Sequence, residues 1–113
     1  MTNLERLKLE LSNKEYYTDE EYTVFLLENN LIATDVYNKE NNQLNLLETV
    51  VAILETLSND VDLMRKIDSK DITSIDQAYK YLSDRINKIN AKIIEIKESK
   101  EDTYNNIRPL FFR

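Results

Sequence analysis

Asp60, Asp62, Asp68 and Asp71 fall within twelve residues of the stretch "DVDLMRKIDSKD". Carboxylates at such spacing are the raw material of a calcium loop. That loop also needs glycine at its sixth position for the sharp turn and glutamate at its twelfth for bidentate ligation. Here those positions hold Arg65 and Asp71, and Met64 takes the fifth, a ligand position. The pattern fails as a metal loop and reads as a solvated turn. A second acid run, Asp19, Glu20 and Glu21, would suit paired-carboxylate chemistry. It follows Thr18, however, where acids favour the positive end of a helix dipole.

Other reactive chemistry is excluded by what is missing. The 113 residues contain no His, no Cys and no Gly. Without His and Cys there is no ordinary zinc site, no Ser-His-Asp triad and no Cys-His nucleophile. Without Gly there is no phosphate loop of the Walker or dinucleotide kind. No catalytic, cofactor-binding or metal-ligating residue is assigned, and no enzyme activity is expected.

The same absences speak for helices. Gly is the default wherever φ must be positive, and Pro wherever a turn is pre-set. A chain with no Gly and one Pro lacks the turns of a β-rich fold, whereas its thirteen Asn can serve as left-handed helix caps. The expected fold is all-α: a small bundle of four to five helices over residues 1–100, then an extended arm over 101–113. Hydrophobic residues at 42% and charged residues at 32% suit one domain with a core. No 18-residue apolar run marks a membrane span, and the N-terminus lacks a signal-peptide pattern, so a soluble intracellular protein is expected.

Thr2 and Glu5 have capping-box spacing ahead of a helix with Leu4, Leu7 and Leu11 on one face. Thr18 and Glu21 repeat it ahead of a helix turning Tyr22, Phe25 and Leu26 inward, with Asn29-Asn30 as its stop. A third helix starts near Thr34 or, more conservatively, near Asn41. It carries two apolar stripes, Leu44, Leu47, Val51, Leu54 and Leu46, Val50, Ile53, Leu57, an arc wide enough for a central position. "DVDLMRKI" adds a short helical turn. Ser74 with Gln77 then opens the longest helix, running to about Lys100. Tyr79, Leu82, Ile86, Ile89, Ile93 and Ile96 continue its spacing of three and four as a heptad seam. That seam packs either against the third helix or against a neighbouring subunit; the spacing leaves both open.

Charge is uneven. Residues 1–60 carry 4 basic and 12 acidic side chains, and residues 61–113 carry 11 and 9, giving −8 and +2. Complementary halves attract within one fold or steer identical subunits head to tail, although solvated helix faces account for the pattern too. At a pI near 4.7 the surface is a poor ligand for nucleic acid. The chain ends on "IRPLFFR", where Ile107, Arg108, Leu110, Phe111, Phe112 and Arg113 join apolar bulk to guanidinium groups. Termini are normally polar. This one either folds back on its own domain or enters a groove on another protein. Arg beside aromatic residues is the composition of interface hot spots, which favours the second use.

"NLERLKLEL" at the start, "TDEEYTVFLLENN" next, the helix ending in "ETLSNDVDLM" and the C-terminal arm together carry a resemblance. In this order the chain resembles the small helical head–tail connector (adaptor or neck) proteins of tailed bacteriophages. The resemblance implies a virion structural protein, made in the host cytoplasm and placed in the neck between capsid and tail. About a dozen copies would form a homo-oligomeric ring between the portal protein and the next neck or tail protein. The ring would continue the channel through which DNA passes without specific binding, its acidic surface facing the lumen. The six arm residues would grip the portal or a neighbouring subunit. No cofactor and no membrane contact is implied. A different class stays open: a small acidic helical inhibitor that mimics DNA and binds a host protein.

Overall fold

Thr2 starts the first helix by a reciprocal exchange with Glu5. Its hydroxyl accepts the Glu5 N–H at 3.2 Å, and the Glu5 carboxylate accepts the Thr2 N–H at 2.9 Å. Two orphan donors of the helix end are thereby satisfied. In the computed structural model, residues 1–60 and 74–107 are described, the side chains of Ile75 and of 101–107 excepted. Over these residues the chain forms α1 (Asn3–Glu10), α2 (Asp19–Glu28), α3 (Lys39–Ser58) and α4 (Ile75–Ile107), with no strand among them. The all-α bundle expected from composition is the observed architecture.

Thr18 and Glu21 build the second capping box, and Asn38 caps α3 through its side chain. The start of α3 at Lys39 falls between the two expected sites, because Asn38 accepts the Asn41 N–H and ends the extended approach. Ser74 accepts the Gln77 N–H at 3.2 Å and opens α4 as its spacing predicts. The expected helical turn "DVDLMRKI" and the carboxylates Asp62, Asp68 and Asp71 lie outside the described residues.

Two tight stops form without glycine. After α2, Leu31 donates to the Leu26 carbonyl and Asn30 to the Leu27 carbonyl, with Asn30 at φ 64°. This is a Schellman closure, and Leu31 and Leu26 supply its hydrophobic contact, both buried. After α1, Asn13 donates to Lys8 and Ser12 to Leu9, with Ser12 and Asn13 both at φ 58°. Asn tolerates the left-handed region; Ser12 bears a cost of order 1 kcal/mol there.

The segment after α2 runs back along the N-terminus. Asn3 N–H donates to the Asp35 carbonyl, Tyr37 N–H to the Met1 carbonyl, and the Asn3 side chain to the Ile32 carbonyl at 2.8 Å. These bonds tie the chain end to the bundle and bring the chain round to α3.

Among the described residues α3 is the one helix that packs against each of the others. Both of its apolar stripes are used: Leu46, Leu47, Val50, Ile53, Leu54 and Leu57 are buried, with Leu44 and Val51 half-buried beside them. The seam of α4 closes onto this core. Leu82, Ile89 and Ile93 are buried and Ile86 and Ile96 partly so, whereas Tyr79 is 54% exposed. Each buried Leu or Ile contributes about 1.5–3 kcal/mol of transfer free energy. The seam is therefore occupied within the chain.

α4 departs from expectation at its far end. It does not stop near Lys100, and the backbone of residues 101–107, expected to be extended, is helical. The polar run "ESKEDTYNN" contains no Gly or Pro, and Glu and Lys are good helix formers. The helix is described as far as Ile107, and the other five arm residues, Arg108, Leu110, Phe111, Phe112 and Arg113, lie outside the described residues.

Candidate interaction surface

Tyr22 organises the acidic end of the molecule. It is fully buried on α2, and its hydroxyl donates to the Lys14 carbonyl at 3.0 Å. The same oxygen accepts the Tyr16 N–H at 3.1 Å and the Tyr17 N–H at 3.4 Å. One side chain thereby fixes the connection between α1 and α2. Tyr17 rests edge-on against the Tyr22 ring at 6.2 Å and tilts against Phe25 at 5.5 Å. Tyr16 is buried and faces α4, where Tyr81 and Arg85 contribute to its electrostatic surroundings. The Arg85 guanidinium donates to the Glu10 carbonyl at the end of α1.

This connection and the end of α3 enclose an open cleft of about 620 Å³ lined by Glu15, Tyr16, Tyr17, Thr18, Asp19, Glu21 and Asp60. Four carboxylates and two aromatic rings share it. Lys8 offsets one acid through a 2.6 Å ion pair with Asp19, which also ties α1 to α2. Hydrogen bonding to Asp19 holds the Lys8 ammonium above its usual range. Burial pushes the Tyr17 hydroxyl up, and the negative charges of Asp60 and Glu21 add to the shift. Among the described residues no three carboxylates come together as a metal-holding group. The acids line a rim instead of converging on a point.

At the other end of α3 an open groove of about 400 Å³ runs between the start of that helix and α4. Leu44 and Ile96 form its apolar part, and Lys39, Lys92 and Lys100 face Glu40 and Glu95 across it. Lys97 pairs with Glu48 at 3.7 Å nearby. These contacts fix α4 antiparallel to α3 and place the Ile107 end beyond the start of α3. Basic and acidic side chains alternate here, as the sequence indicates for this helix.

The expected seam residues therefore divide. Leu82, Ile86, Ile89, Ile93 and Ile96 join the core, and Tyr79 is left on the surface. The acidic cleft is the feature that sequence reasoning missed. "KEYYTDEEY" reads as a break between helices, and its mixture of acids and tyrosines is visible. Asp60 joins it only because α3 runs back to the same end of the molecule.

No protein-family model, no curated protein and no solved structure matches this chain. Fold and surface define its class on their own terms: a four-helix all-α bundle over the described residues, with a long last helix. Among those residues no helix is long and apolar enough to cross a membrane.

Proposed function

We propose that the protein is a structural assembly factor, a head–tail connector that forms a ring between a portal and the next neck or tail protein. The observation that carries this reading is the reach of α4. Lys39 and Glu40 at the start of α3 share a groove with Ser99 and Lys100 of α4, so residues 101–107 continue the helix about 10 Å past that start. Residues 108–113, which follow this helix in the sequence, include two Arg and two Phe, a composition suited to gripping another protein. The resemblance of the chain to connector proteins supports the same reading, as does the absence of His and Cys from the sequence.

Electron microscopy of the protein mixed with candidate portal rings tests it. The proposal predicts an added ring of density beneath the portal, lost when Phe111 and Phe112 are both replaced by Ser. Portal rings left bare at saturating protein would contradict it. A monomer that instead binds a host enzyme through its acidic cleft would point to the inhibitor class.

A further inference from the structure

We draw no further inference here: the strongest candidate, the outer face of α2, where Val24 and Leu27 stand exposed between Glu20 and Glu28 on the side away from the buried Tyr22 and Leu26, is an unpartnered apolar face, and nothing in the structure shows what covers it.

Discussion

The Tyr22 hydroxyl serves three backbone groups at once, and its removal has a calculable cost. Tyr22→Phe keeps the ring and its packing but leaves the Tyr16 N–H, buried at 3.1 Å from that oxygen, without its acceptor. An unsatisfied buried donor costs about 1–3 kcal/mol. The variant is expected to lower the denaturant midpoint accordingly while far-ultraviolet circular dichroism stays that of the native helices. Burial also raises the hydroxyl pKa of Tyr16, Tyr17, Tyr22 and Tyr37 above the free phenol's value. A group whose folded pKa is raised binds its proton more tightly when folded, so its contribution is complete below the unfolded pKa. It is lost as pH rises through the folded value. Stability measured by denaturant titration is therefore expected to fall above about pH 10, and a Tyr22→Phe background to lose part of that alkaline slope. The hydroxyl network itself was not legible in the sequence: Tyr22 is marked as inward-facing by its spacing, but its partners are set by how the connection from Lys14 to Tyr17 folds over it.

At the scale of elements, local rules carried well where the determinants are local. Both Thr–Glu capping boxes, the Ser74 cap, the Asn30 stop and both stripes of α3 stand where spacing predicts them. Spacing failed where the deciding fact was an absence. The polar run after Lys100 resembles a linker, yet it holds no Gly or Pro to stop a helix, and the helix runs on through it to Ile107. Heptad spacing also cannot tell an internal seam from an intersubunit one, since both bury one face every three and four residues. The structure buries this one. Leu82→Ala is accordingly expected to destabilise the monomer by about 2–5 kcal/mol, whereas Tyr79→Ala, on an exposed residue of the same seam, should change stability by less than about 0.5 kcal/mol. Thermal unfolding of the two variants distinguishes this arrangement from a seam that packs between chains, where the midpoint would vary with protein concentration and Tyr79 would matter as well.

The whole molecule is long and narrow, 57 × 30 × 21 Å, with an acidic aromatic cleft near one end and a helix leading out from the other. The unequal charge of the two halves is readable directly from the sequence. Its spatial meaning is not, because residue 60 and residues 15–21 meet only through the antiparallel course of α3. The central proposal is that this is an assembly protein acting through its last six residues. If these residues act outside the subunit, their removal is expected to leave the thermal midpoint nearly unchanged. Native mass spectrometry of the full-length chain and of a 1–107 truncation, each alone and with candidate portal and neck proteins, tests the claim most directly. Oligomers or partner complexes present with the full chain and missing from the truncation are the predicted result. A full-length monomer that engages no candidate partner and is indistinguishable from the truncation would contradict it.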